Sequence, residues 1–189
     1  MSHVLTTRLI LCALALCLSA AAPASAVEAD FNPQVEVRKD TSHPREAYYV
    51  RGSIIIRAPR ERIWALMTDC SATRRMVPQL RRCRVEAEGE GWDHRKHVLR
   101  SGPFRLTSIF RSDYDYLESV EISLVSGDMD VQEGVWRLTA IDGDLTRLEY
   151  EAWSKPGIWV PDWFIARCIK KDVPTILTNL RNMAEEQAS

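Results

Sequence analysis

Residues 49–91 read YVRGSIIIRAPRERIWALMTDCSATRRMVPQLRRCRVEAEGEG, and the order of elements in this stretch decides the fold. Val50, Ser53, Ile54, Ile55 and Ile56 form a β-branched run, the composition of a strand. Pro59 then suits a helix start, because a first turn has no use for the N–H that proline lacks. Ile63, Trp64 and Met67 recur at helical spacing, and the helix is predicted to end near Asp69. A second short helix or turn is expected over 74–80, interrupted by Pro78. From Arg84 to Glu90 the chain returns as a strand, with Val85 and Ala87 alternating with charged neighbours.

Upstream, residues 1–26 carry Arg8, an apolar stretch over 9–18 and the small-residue ending Ala24, Ser25 and Ala26. That is the pattern of a secretory signal peptide, with cleavage expected near Ala26. The apolar stretch is short for a bilayer and runs into Pro23 and small residues instead of a stop-transfer signal. Lipoprotein processing needs a small residue before the cysteine, whereas Leu11 precedes Cys12 and Leu16 precedes Cys17. An exported protein, periplasmic or secreted, is therefore expected. Residues 27–48 hold Pro33, Pro44 and several charges, so they read as an irregular N-terminal arm. Residues 49–187 are left as one ligand-binding domain.

Two of the five cysteines depart with the leader, leaving Cys70, Cys83 and Cys168 in a compartment where disulfides persist. Cys70 and Cys83 bracket the second helix. Either they form a bridge, closing a short loop worth about 3 kcal/mol, or they are two independent buried thiols. Export favours the bridge, since exposed free thiols are a liability outside the cytoplasm. Cys168 falls in a helix and is expected to be a buried free thiol.

Beyond Cys83 the pattern is that of antiparallel strands. Short apolar segments at 97–99 and 104–110 are separated by Ser101, Gly102 and Pro103, and a strand over 114–125 carries Tyr116, Val120, Ile122 and Leu124 on alternate positions. Trp136, Leu138 and Ala140 share a face, as do Leu148, Tyr150 and Ala152, with a turn around Gly143 between them. The last segment changes period. Ile165, Ile169, Val173, Ile176, Leu180 and Met183 fall on one stripe of a long amphipathic helix over 160–186, with a kink or two abutting helices expected around Pro174. A curved antiparallel sheet wrapped around that stripe would leave a concave gap, a pocket.

Element order and several strings resemble the START-like (SRPBCC) helix-grip superfamily, in particular its polyketide cyclase and coenzyme Q-binding branch. The carriers are Ala58-Pro59 at the end of the first strand, IWALMTD at 63–69, Met76-Val77-Pro78 followed by Cys83-Arg84-Val85, GDMDVQEGVW at 127–136, and the closing helix with Pro174. The resemblance covers residues 49–184. It implies an α+β helix-grip fold, a curved antiparallel sheet around a long C-terminal helix with two short helices after the first strand. It also implies an apolar ligand, since the superfamily hosts lipid carriers, quinone binders, hormone receptors and cyclases on one scaffold. No family-wide catalytic residue carries over.

A net charge of −1 offers no global basic field, and with export it argues against nucleic acid as a partner. The charge is uneven, however. Arg57, Arg60, Arg62, Arg74, Arg75, Arg81, Arg82 and Arg84 face only Glu61 and Asp69 in their span, while 113–151 is acidic. Such arginines are ordinary solvated surface or a transient contact with an anionic membrane surface. Of the six tryptophans, Trp64 and Trp136 read as core. Trp159, Val160, Pro161, Trp163 and Phe164 instead cluster where the last strand gives way to the helix, either packed or placed to gate a pocket mouth or meet a membrane interface.

Catalytic constellations are scarce. His94 and His97 would fall on opposite faces of a strand, and Asp128, Asp130 and Glu133 lack the full calcium-loop pattern, so no metal and no cofactor is expected. A cyclase or dehydratase would need an acid or base facing the cavity, for which His97, Arg105, Tyr114, Tyr116 and Tyr150 are the candidates. The favoured reading is an exported binding or carrier protein for an apolar small molecule or lipid, isoprenoid or quinone-like or acyl. The alternatives are that enzyme and an exported protein-interaction adaptor. The expected ligand-binding residues are Met76, Phe104, Phe110, Met129, Trp136, Tyr150, Trp163, Ile169 and Val173. N-terminal sequencing of the protein recovered outside the cytoplasm should give Val27 as the first residue; retention of the first 26 residues would refute the leader.

Overall fold

The computed structural model describes residues 31–186, and the expected leader and cleavage site near Ala26 fall outside them. The described strands are β1 (Gln34–Asp40), β2 (Ala47–Arg57), β3 (Leu80–Gly89), β4 (Trp92–Ser101), β5 (Phe104–Asp115), β6 (Ser119–Gly127), β7 (Met129–Asp142) and β8 (Leu145–Pro156). The helices are α1 (Arg60–Thr68), α2 (Cys70–Met76) and α3 (Asp162–Glu186). One eight-stranded antiparallel sheet runs in the order β1-β2-β8-β7-β6-β5-β4-β3. The meander β3 to β8 is thus completed by the return of β2 alongside β8. This is the expected α+β helix-grip fold, with the sheet curved around the long C-terminal helix.

The core sits where the second half of α3 meets β2 and β8. Ile54, Ile56, Ile63, Leu148, Leu177 and Leu180 are at most 1% exposed. Gly52 lets the helix approach, since a Cβ there would stand 3.1 Å from Leu177 Cδ1 and 3.6 Å from Val173 Cγ1. The stripe of α3 divides accordingly. Val173, Leu177, Leu180 and Ala184 are buried against the sheet and α1, whereas Ile165 and Ile169, a turn or two earlier, are only partly covered. The helix runs unbroken through Pro174 and does not split into two, because only the bond to the carbonyl of Lys170 is forfeited.

The opening module has the expected order with one shift. Asp69 caps α2, its carboxylate accepting from Ser71 N at 3.1 Å and Ala72 N at 3.0 Å, so the helix starts at Cys70 and ends before the expected 74–80 does. Leu80 already belongs to β3. Cys70 and Cys83 are bonded, Cα atoms 5.4 Å apart, which ties the start of α2 to the edge strand. Two other expectations are corrected. Residues 34–40, read as irregular arm, form β1, paired with β2 from Gln34↔Ser53 to Asp40↔Ala47, with Val35 and Val37 packed against the core. An edge strand needs only one apolar face, and two valines supply it. The strand expected over 114–125 is two strands: β5 ends at Asp115 and β6 starts at Ser119, joined through Leu117 at φ 64° with Glu118 N donating to Asp115 O at 2.9 Å. No glycine, asparagine or proline marks that turn.

Leu177→Ala should lower the unfolding free energy by about 2–5 kcal/mol in urea titrations, as a fully enclosed leucine demands. Reducing the Cys70–Cys83 bond should cost about 3 kcal/mol by the same measurement, and an unchanged midpoint would mean the bond constrains nothing.

Candidate functional site

Where the first half of α3 leaves the sheet, a cavity of about 370 Å³ opens between them. Its walls follow from strand alternation. β4 contributes Arg95, His97, Leu99 and Ser101, every second residue, and β5 contributes Phe104, Leu106, Phe110, Ser112 and Tyr114. Val120 and Ile122 of β6, Met129 and Trp136 of β7 and Tyr150 of β8 continue the wall. The roof is Phe164, Ile165, Cys168, Ile169, Val173 and Ile176 of α3, and Met67 and Met76 close the end beneath α1 and α2. Trp136 and Tyr150, direct cross-strand partners, stack with ring centroids 4.1 Å apart.

Polar groups are few and concentrated. Arg95, 5% exposed, donates from Nε to Asp93 Oδ2 at 2.8 Å, from Nη1 to Met67 O at 3.3 Å and from Nη2 to Thr68 O at 2.5 Å. It therefore satisfies the last carbonyls of α1, which a helix C-terminus leaves unpaired. Tyr114 Oη also donates to Asp93 Oδ2, at 2.6 Å, and burial pushes the phenol well above its usual pKa. His97 packs edge-on against Phe110, centroids 4.6 Å apart, and its Nε2 has no hydrogen-bond partner among the described residues. Burial, with Arg95 adding and Asp93 opposing, lowers the His97 pKa from 6.5 to about 4, so the ring is neutral near pH 7. Desolvation alone pushes the Tyr150 phenol up to about 12. On the roof, Asp172 accepts from Gln79 Nε2 at 2.6 Å, its carboxyl pKa raised by burial, and Cys168 Sγ lies 3.3 Å from Ser101 Oγ.

Of the residues expected to bind ligand, Met76, Phe104, Phe110, Met129, Trp136, Tyr150, Ile169 and Val173 all line this cavity. Trp163 does not. It is 68% exposed on the outer side of α3, while its neighbour Phe164 turns inward, since one step along a helix rotates a side chain by roughly 100°. Among the acid–base candidates, His97, Tyr114 and Tyr150 face the cavity. Arg105 is exposed on β5 and Tyr116 is 69% exposed in the β5–β6 turn, so neither serves. Cys168 is a free thiol as expected, though half-buried in the cavity wall. Sequence reasoning missed Arg95 and Asp93. Both lie in WDHRKHVLR, where charged residues occupy consecutive positions and hide which face is inward. Among the described residues no three His, Cys, Asp or Glu side chains stand together as a metal site, and no helix is long and apolar enough to cross a membrane.

The fold recurs among solved structures. A STAR-related lipid transfer protein from Xanthomonas axonopodis superposes with a TM-score of 0.68 at 18% identity, over 82% of this chain and 94% of that one. The Zhui aromatase/cyclase from Streptomyces gives 0.67 at 16% identity, over 75% and 95%. Human StAR-related lipid transfer protein 5 gives 0.70 at 9% identity, over 84% of each chain. At such identities the likeness concerns the fold. In sequence, a family model described as polyketide cyclase / dehydrase and lipid transport matches residues 56–181. No curated protein matches the chain.

The depressed His97 pKa has a direct consequence for stability. Between about pH 4 and 6.5 the unfolded chain takes up a proton that the folded protein refuses. This group's contribution is therefore full above pH 6.5 and is lost as pH falls towards 4, by at most roughly 3 kcal/mol. Urea midpoints measured across that window should fall less steeply for His97→Gln than for the unsubstituted protein; equal slopes would show that the ring does not stay neutral.

Proposed function

The chain belongs to the polyketide cyclase / dehydrase and lipid transport family, and on that footing we propose that it is an exported carrier for an apolar small molecule or lipid. One observation carries the reading. The first half of α3 turns its apolar stripe onto a hollow of about 370 Å³ instead of onto side chains of the sheet, a size within the ~300–1,000 Å³ of small-molecule sites. Without an occupant, water would wet a wall made mostly of apolar side chains. An apolar occupant removes that surface from water.

In this reading Met76, Phe104, Phe110, Met129, Trp136, Tyr150, Ile169 and Val173 bury the ligand, and affinity comes from area. An isoprenoid, quinone-like or acyl chain suits a cavity with its polar groups gathered towards Arg95, His97 and Tyr114. Asp93 and the α1 carbonyls engage Arg95, and His97 is neutral, so the wall supports an uncharged polar group on the ligand better than an ionised one. The protein acts outside the cytoplasm and meets an anionic membrane surface transiently to take up or release its cargo.

A second reading, acid–base chemistry on an apolar substrate in the same cavity, rests on His97 alone: its imidazole is neutral and has no hydrogen-bond partner among the described residues, so a ring nitrogen is free to accept a proton, although a pKa of about 4 makes it a weak base. A product released from bound substrate, and lost in His97→Gln, would select it over the carrier.

Mass spectrometry after denaturing extraction of gently purified protein should find an apolar molecule in about equimolar amount. N-phenylnaphthylamine should fluoresce in the cavity of delipidated protein, and Ile169→Trp should weaken it about tenfold or more without lowering stability. Probe binding unaffected by that filling would overturn the site.

A further inference from the structure

The residue that sequence reasoning placed in the cavity, Trp163, belongs to a surface that the cavity does not explain. Trp159 is 82% exposed, Trp163 68% and Ile158 40%, all within the β8–α3 loop and the first turn of α3. Large apolar side chains with this exposure, grouped in one place, mark an interaction site more often than chance surface. Their neighbours in the chain, Val160 and Phe164, line the cavity, so the patch lies beside its rim.

On the helix the patch continues into basic residues. Trp163, Arg167 and Lys170 are all exposed and fall at i, i+4 and i+7, one outward stripe of α3 opposite the cavity side. Across the rim, the β4–β5 hairpin packs against the same helix turn. A Cβ on Gly102 would stand 3.3 Å from the Phe164 ring, and the Phe104 and Phe164 rings are 5.2 Å apart. That hairpin presents Arg100 and Arg105, cross-strand partners and both exposed. None of Arg100, Arg105, Arg167 and Lys170 joins an ion pair among the described residues. Three exposed acids also lie near the loop: Asp162, paired with Lys39 at 2.8 Å, Asp128, which accepts from Thr107 N at 2.8 Å, and Asp130, beside Gly157.

Exposed tryptophans whose helix stripe continues into the unpaired Arg167 and Lys170, next to a hairpin that carries Arg100 and Arg105, match one partner in particular, the interface of an anionic bilayer, where indole sits at headgroup level and each basic residue adds its own attraction. The geometry points to the β8–α3 loop and the outer face of the first turns of α3 as the membrane-docking surface, which sets the rim of the cavity at the bilayer. The inference rests on the carrier reading and assigns its membrane contact to this rim, not to the arginines of residues 57–84.

The test is sedimentation of the mature chain with vesicles of phosphatidylcholine, with and without phosphatidylglycerol. Anionic vesicles should carry the protein down, added salt should release it, and tryptophan emission should shift to the blue on binding. Trp159→Ser with Trp163→Ser should abolish the emission shift and most of the binding. Arg167→Gln and Lys170→Gln should weaken binding about fivefold each. Arg74→Gln with Arg75→Gln, on exposed positions of α2, should leave it unchanged. N-phenylnaphthylamine binding in solution should be the same in all of these proteins, since none of the substituted residues lines the cavity. Indifference to phosphatidylglycerol, or equal loss in the α2 pair, would overturn the docking surface while the probe still reports the cavity; loss of the probe in the unsubstituted protein would overturn the carrier reading itself.

Discussion

Everything in this molecule depends on where α3 is held down. Gly52 lets Leu177 and Val173 close on β2, and Leu177 and Leu180 share a sealed core with Ile54, Ile56 and Leu148. The helix is anchored there, beyond Pro174. Its first half then has to cross the concave side of β4 to β7 as a beam supported at one end by that core. At the other end Asp162 is held by Lys39 Nζ at 2.8 Å and, through its carbonyl, by Tyr48 Oη at 3.0 Å. The gap beneath the beam is the cavity. Strand β1, which looks peripheral, supplies Lys39 to that contact.

The second constraint is electrostatic. A buried guanidinium is tolerable only if its charge and its donors are met, and Arg95 finds Asp93 and two carbonyls at the end of α1. One side chain thereby neutralises a carboxylate, ends a helix and forms part of the cavity wall. Burial keeps His97, two residues along the same strand, neutral, and Arg95 adds to that effect because protonation would place a second positive charge beside the first.

The fold was legible because its signals are periodic. The isoleucine run of β2, the spacing of Ile63 and Met67, and the stripe from Ile165 to Met183 each repeat often enough to specify an element. The cavity wall was legible to the same extent, since most of its residues lie on apolar alternations. What escaped notice had no period to betray it. Two valines among charges concealed β1, Leu117 made a turn without a turn residue, and a one-residue step on α3 separated Trp163 from Phe164. Arg95 was hidden for a different reason, because a buried charge is recognisable only through partners that other segments bring.

The sheet closes last in the order of the chain. β2 pairs with β8 from Tyr48↔Ser154 to Arg57↔Leu145, and Tyr49 Oη reaches Glu151 Oε1 at 2.7 Å across 102 residues of sequence. The core around Gly52 cannot form until both strands and α3 are present, so little of it can be assembled while the chain is still being made. Contacts this distant are reached slowly. Until β8 and α3 are in place, the isoleucines of β2 have neither a neighbouring strand on that side nor a helix to cover them, so the last third of the sequence decides when the tertiary structure is committed.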